Sequence, residues 1–344
     1  MIALIGSKKK LKVSSDEHGH VRPLRNRNKD KKETTKKAQD LSGEEVLTSQ
    51  FTRLCCINLQ RREDRWDGFC TRVRSSLGEV VLNKIERFGA VDGIDILSPK
   101  SNPKENLNDD DDEMPSLEWD ATKNAKYDWH IKPPMKKLLT PSEIGCAISH
   151  VRLWKQLVSS TEPESTMLIL EDDAVFYEGI VIKQTPRRVV GKRKANQVQD
   201  TTQGFLEALS SVWKVVPSDW DILYLGFSDR GERTYVQQKE KQKLPIQVEV
   251  FQPTYGFQAH AYALRKSAAS VLLSKLPVTG PVDVWLADNE WFGLKVYCGV
   301  VANEGWCGEG ACLVEQRKHI TGSDIMQSGR NTCLPRKLAG GKFK

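Results

Sequence analysis

The stretch Thr166–Phe176, TMLILEDDAVF, constrains the fold of this chain more than any other. Met167, Leu168, Ile169 and Leu170 suit the interior of a β-strand, and Glu171, Asp172 and Asp173 follow with no spacer. Carboxylates taken out of water need a cation, hydrogen-bond donors or a turn back into solvent. The strand is therefore expected to end at the acids, at a place where the fold supplies one of these.

The surrounding sequence alternates strands and helices. RLCCINL from Arg53 reads as a short buried strand. In the segment behind it Trp66, Phe69, Val73 and Leu77 recur at helical spacing, and Gly78 ends the pattern. IERFGAVDG reads as a second strand running into a turn at Asp92-Gly93. Thr140, Pro141 and Glu143 form a capping box with proline at the first helical position. One face of that helix carries Ile144, Ile148, Val151, Trp154 or Lys155, and Val158; Gly145, Ser149 and His150 fall off this stripe, facing a cleft. A helix over Gly204–Val215 then leads to the strand WDILYLGF at Trp220–Phe227. This alternation predicts an α/β fold with a mainly parallel, twisted sheet flanked by helices. In such sheets ligands bind outside the carboxyl ends of the strands, which is where the acids fall.

Charge and composition set the outer limits. The chain of 344 residues carries a net charge of +7, and residues 1–50 account for most of it with 12 Lys/Arg against 7 Asp/Glu. That segment has no aromatic residue and no apolar periodicity, so it reads as a solvated, disordered basic tail. Specific nucleic-acid binding is not expected from it. Residues 51–330 form the expected folded domain, with insertions at about 98–135 and 180–203 and a second tail at 331–344. No apolar run approaches the roughly 18 residues of a membrane-spanning helix, and the first residues lack the apolar stretch of a secretory signal. This leaves a cytoplasmic location, or a lumenal one directed by an upstream segment. Cys55, Cys56 and Cys146 sit in apolar segments and read as small buried hydrophobes; Cys307 and Cys312 are close enough in sequence to pair, although that is the minority reading.

Strand alternation points Glu171 and Asp173 one way and Asp172 the other while extended geometry lasts. Two hard oxygen ligands on one side suit magnesium or manganese. The sequence has no Walker loop, no Gly-x-Gly-x-x-Gly turn and no His-Glu-x-x-His, which disfavours P-loop enzymes, dinucleotide dehydrogenases and zinc proteases.

INLQRREDRW, FGAVDG, LTPSEIGCAISHVRLWKQL, LILEDDAVFY, WDILYLG and AHAYALRKSAASVLL with VDVWL occur in the order seen in glycosyltransferase family 25. Over about Arg53 to Arg330 the chain resembles the lipooligosaccharide and procollagen galactosyltransferases of that family. The resemblance implies a GT-A-type nucleotide-sugar fold and a manganese-assisted, inverting transfer from a UDP-sugar to a hydroxyl of a glycan or protein. Glu171 and Asp173 would then face the metal and diphosphate, with Asp172 near the donor sugar or ribose.

The resemblance also suggests roles for other residues. Asn58, Arg61 and Arg65 are candidates for the nucleotide, though both arginines also fit a solvated helix start. Asp92 suits either the base or an Asx-turn, and Ser149 and His150 are candidates for the donor side of the cleft. An inverting transfer needs a base for the acceptor hydroxyl. Asp283 is the first candidate, with Asp288 and Glu290 behind it, although Asp283 also fits a helix N-cap. His319 or Asp324 in HITGSDI could complete the metal or phosphate shell. The Lys/Arg-rich insertion after Tyr177 and the loop NEGWCGEGAC depart from the family pattern, which leaves the acceptor open. A non-catalytic binding module on the same scaffold, or a different UDP-sugar, are the alternatives.

Overall fold

Alternate residues of the first strand are buried on opposite sides, and this alternation organises the domain. In β1 (Arg53–Asn58), Leu54 and Cys56 join one hydrophobic layer while Cys55 and Ile57 join the other. β3 (Thr166–Glu171) repeats the pattern with Leu168 and Leu170 against Met167 and Ile169. Strands buried on both faces read as continuous apolar runs, as these do. The computed structural model describes residues 41–93, 95, 139–181, 202–237, 244, 246–288, 292–302 and 311–316.

β2 (Ile85–Gly89), β1 and β3 run parallel to one another. β10 (Gly256–Arg265) lies antiparallel between β3 and β7 (Ile222–Asp229). β11 (Val296–Val301) is parallel to β7, and β9 (Val248–Pro253) and β8 (Arg233–Tyr235) continue antiparallel to the edge. The order is β2-β1-β3-β10-β7-β11-β9-β8, with β12 (Ala311–Cys312) added to β11. The α/β class and the helix-flanked sheet match expectation. The sheet itself is mixed where the sequence suggested mostly parallel pairing. Buried parallel and antiparallel strands carry the same apolar runs, so the direction of β10 was not written in its composition.

Helices cover both faces. α2 (Glu63–Leu77) buries Phe69, Val73 and Leu77 and stops at Gly78, whose φ of 88° suits glycine, and the short α3 (Glu79–Leu82) follows. α2 shares the first hydrophobic layer with α5 (Phe205–Val215). α4 (Pro141–Val158), α6 (Lys266–Ser274) and the short α7 (Val282–Leu286) cover the other layer. The capping box at α4 forms as expected: Thr140 Oγ1 accepts from Glu143 N, and Glu143 Oε2 accepts from Thr140 N at 2.8 Å. This helix is buried over a wider arc than its apolar stripe, because Ala147, His150, Leu153 and Leu157 are enclosed as well.

One boundary moves. Residues 41–50, assigned from sequence to the tail, form α1, which begins as Gly43–Glu45 and continues as the π-helical turn Val46–Gln50. Val46 and Leu47 are fully enclosed in the first layer, and Ser210 Oγ donates to Leu41 O at 2.8 Å. A Cβ at Gly43 would sit 2.0 Å from Leu206 O, so α1 approaches α5 as closely as glycine permits. Four polar residues, Glu44, Glu45, Thr48 and Ser49, mask the two apolar anchors in the sequence. The basic tail therefore ends before residue 41.

Two small ladders complete the domain. β4 (Ala174–Phe176) pairs with β13 (Val314–Gln316) directly behind the acids. β5 (Ile180–Val181) pairs with β6 (Thr202–Gln203), which closes the base of the insertion placed at 180–203. The insertion at 98–135 and the tail from 331 lie outside the described residues. No helix among the described residues is long and apolar enough to cross a membrane.

Candidate active site

Because β1 and β3 are parallel neighbours, Asn58 and Glu171 end side by side at one edge of the sheet. A cleft of about 710 Å³, its open mouth included, lies beyond that edge. Arg61, Arg65, Asp92, Ser149 and all three acids line it, so seven of the residues singled out in the sequence meet there.

The acids divide as strand alternation predicts. Asp172 turns toward α2, where Asn58 Nδ2 donates to Oδ2 at 2.6 Å and the Arg65 guanidinium contacts Oδ1. Arg72, about two turns further along α2, holds the backbone of the same turn. Its Nη2 donates to Asp172 O at 2.6 Å and its Nε to Ala174 O at 2.9 Å. Burial pushes the Asp172 carboxyl above the usual carboxylate range, while Arg65 and Asn58 pull it back. The compensation that the apolar-acidic run demanded thus comes from two arginines and an amide.

Glu171 and Asp173 have a different partner. Gln316 Nε2, at the end of β13, donates to Glu171 Oε2 and to Asp173 Oδ2, both at 3.0 Å. Arg65 also reaches Asp173 Oδ2 at 3.5 Å. The second amide atom, Gln316 Oε1, is buried and makes no hydrogen bond among the described residues. Rotating this amide by half a turn would direct its oxygen between the two carboxylates. Two carboxylates and an amide oxygen are a hard donor set, so these residues fit manganese or magnesium.

The rim is built by backbone approach. Ser149 Oγ accepts from Val91 N at 2.9 Å and donates to Gly145 O at 2.7 Å, clipping the loop after β2 to α4. A Cβ at Gly145 would lie 2.3 Å from Val91 O, so only glycine allows this seat. Asp92 Oδ2 accepts from Arg61 Nε at 2.7 Å across the cleft mouth, with the Arg61 side chain half exposed.

Several expected contacts change meaning. Asn58 is buried, with Nδ2 on Asp172 and Oδ1 receiving Arg87, so it orients the acids from beneath and does not line the cleft. Arg65 is too enclosed to be a solvated helix start. His150 is buried against Tyr262 Oη at 2.9 Å, and its Nε2 lies 3.8 Å from Glu171 Oε1. Cys146 is half buried at the cleft wall and is no core residue, unlike Cys55 and Cys56.

Asp283 is not the N-cap of α7, a position held by Pro281. Its Oδ2 accepts from Gln258 N at 2.7 Å and its Oδ1 from Val284 N at 2.9 Å. Gln258 has a φ of 64° at a register shift in β10, so Asp283 braces a bulge. Ala261 pairs with Leu170, and the stretch before it runs past the end of β3. Asp283 therefore lies toward the cleft edge of the sheet without lining the cleft described above. Asp288 follows α7, half buried. Glu290, His319 and Asp324 lie outside the described residues, as does Cys307; Cys312 is a thiol donating to Phe227 O at 3.1 Å.

Arg72, Gln316 and Tyr262 escaped the sequence reading. Arg72 looked like an ordinary polar helix position, and Gln316 is brought to the acids only by the β4–β13 pairing.

A helix-flanked mixed sheet with an acid-lined cleft at its carboxyl edge is consistent with a GT-A-like glycosyltransferase fold. Residues 51–286 match glycosyltransferase family 25 (LPS biosynthesis protein), and the chain belongs to that family. It is 27% identical over 240 residues to procollagen galactosyltransferase 2 of Mus musculus, a match covering 69% of this chain and 30% of that protein. It is 26% identical over 238 residues to inactive glycosyltransferase 25 family member 3 of Homo sapiens, covering 69% and 31%. A glycosyltransferase 25 family member of Aedes aegypti is 24% identical over 233 residues, covering 67% and 29%. The chain thus spans under a third of the length of these relatives.

Proposed function

We propose that this chain is a metal-dependent, inverting glycosyltransferase that moves galactose from UDP-galactose to a hydroxyl of a glycan or protein. The observation that carries this reading is the division of labour among the acids. Asp172 is neutralised by Arg65, while Glu171 and Asp173 converge on one amide at the cleft floor. Those two carboxylates, with Gln316, would hold manganese. When bound, the ion supplies positive charge for the leaving diphosphate. Arg61 at the rim is placed to exchange Asp92 for phosphate oxygens, which a guanidinium meets bidentately. The clipped loop Ala90–Gly93 forms the wall for the nucleoside.

A galactose donor is supported by the galactosyltransferase among the relatives, and a panel of UDP-sugars tests it. Manganese-dependent hydrolysis should be fastest with UDP-galactose. The relative named inactive favours a second reading, a binding module on the same scaffold. Absence of hydrolysis with every donor, together with intact UDP binding, would support that reading instead.

Asp283 is the proposed base for the acceptor hydroxyl. Asp283→Asn keeps an oxygen for the Gln258 N–H, gives up the acceptor for the Val284 N–H and removes proton affinity. UDP and manganese affinities should stay within about threefold, roughly 0.7 kcal/mol. Transfer should fall by about two to four powers of ten. Near-parental transfer would reduce Asp283 to a brace and pass the role to Asp288 or Glu290.

A further inference from the structure

Glu171 has two faces. Its Oε2 meets Gln316 beside Asp173, and its Oε1 looks the other way, toward His150. On that second side Cys146 and His150 stand one turn apart on α4, so their side chains share a helix face. One donor atom each from Cys146, His150 and Glu171 lie within 4.8 Å of one another. Sulfur, imidazole nitrogen and a single carboxylate oxygen form a softer set than the oxygen donors on the Asp173 side.

We infer that Cys146, His150 and Glu171 form a second cation site, selective for a thiolate-binding divalent transition metal, of which zinc is the type. Three protein ligands are what a tetrahedral zinc ion takes when its fourth position stays open. Here that position faces the cleft, which both Cys146 and Glu171 line. Binding converts the Cys146 thiol to a thiolate and releases its proton to solvent.

The imidazole ring is held for this by a buried relay. Trp154 Nε1 donates to Tyr262 Oη at 3.0 Å, and His150 Nδ1 lies 2.9 Å from the same oxygen. Without metal, Tyr262 Oη–H donates to Nδ1, leaving Nε2–H directed toward Glu171. With metal, Nδ1–H donates to Tyr262 and the Nε2 lone pair faces the ion, the arrangement usual for a ligating histidine. The exchange leaves one phenolic proton without an acceptor. That lowers affinity by roughly one to two powers of ten, a small loss against metal–thiolate bonding.

Because Glu171 serves both sides, the two cations compete. Zinc bound on the Cys146 side draws charge from the Asp173 side, so manganese affinity falls when zinc is present. This last consequence rests on the manganese reading above; the thiolate site does not.

Cobalt(II) reports the site directly when added to the purified full chain without manganese or nucleotide. A near-ultraviolet thiolate-to-cobalt charge-transfer band should appear, with the strong visible bands of four-coordinate cobalt, and zinc should abolish both. Cys146→Ser changes one atom and should lose the charge-transfer band with its melting curve unchanged. Asp173→Asn should keep it. No band in the parent, or a band that survives Cys146→Ser, overturns the proposal. Manganese binding, read in the same preparations by the resonance signal of the free ion, separates the two claims. An intact cobalt band without any manganese binding would sink the manganese reading and leave this site standing.

Discussion

Arg65→Met should lower the unfolding free energy by about 3–5 kcal/mol at neutral pH, the usual cost of removing one partner from a buried ion pair. Methionine keeps the volume and the apolar stem but leaves Asp172 and Asp173 without their nearest cation. Arg65 is 9% exposed, and the two acids are 9% and 3% exposed, so water cannot replace the guanidinium. Urea unfolding reads the loss as a lower midpoint at unchanged slope. The deficit has a predictable pH dependence. Burial already holds the Asp172 carboxyl above the usual carboxylate range, and Arg65 is the largest influence pulling it down. In the variant its folded-state pKa rises further, so the native state takes up a proton before the unfolded chain does. The deficit should be complete at neutral pH and shrink as pH falls through that raised value. Adding Asp172→Asn should recover much of it at neutral pH. A change within about 0.5 kcal/mol, the range of an ordinary surface substitution, would mean that Arg65 does not neutralise the acids.

Asp173→Asn should cut manganese-dependent turnover of UDP-galactose by at least about two to three powers of ten, the loss that follows removal of one preorganised electrostatic partner. The fold should survive. Asparagine retains an oxygen for Gln316 Nε2 and relieves the crowding of three carboxylates, so the melting temperature should not fall. Turnover at the parental rate would remove Asp173 from the cation site and, with it, the reason for two acids to share Gln316.

What could be read from the sequence was local. The capping box at Thr140, the helical spacing of Trp66 to Leu77 and the apolar runs of β1 and β3 each specify an element through neighbours a few residues away. The acid triplet could be placed for the same reason, since strand period and strand end fix where Glu171 and Asp172 point. What stayed hidden depends on pairing across the fold. Gln316 reaches the acids through β13, over 140 residues from β3, and Arg72 meets the turn only when α2 is laid against the sheet. The direction of β10 is likewise set by its neighbours. Arg65 was visible, but its partner was not: an arginine that can hold phosphate can equally neutralise a buried aspartate. At α1, two apolar residues among polar ones carried too little periodicity to stand out from a basic tail.

If Glu171, Asp173 and Gln316 form a cation-dependent seat for a nucleoside diphosphate, calorimetric titration of UDP into the full chain, with and without manganese, should show it. Manganese should tighten UDP binding by at least about tenfold, or 1.4 kcal/mol, and Asp173→Asn should remove the gain. Equal UDP affinity with and without the ion, or an ion effect untouched by Asp173→Asn, would contradict it.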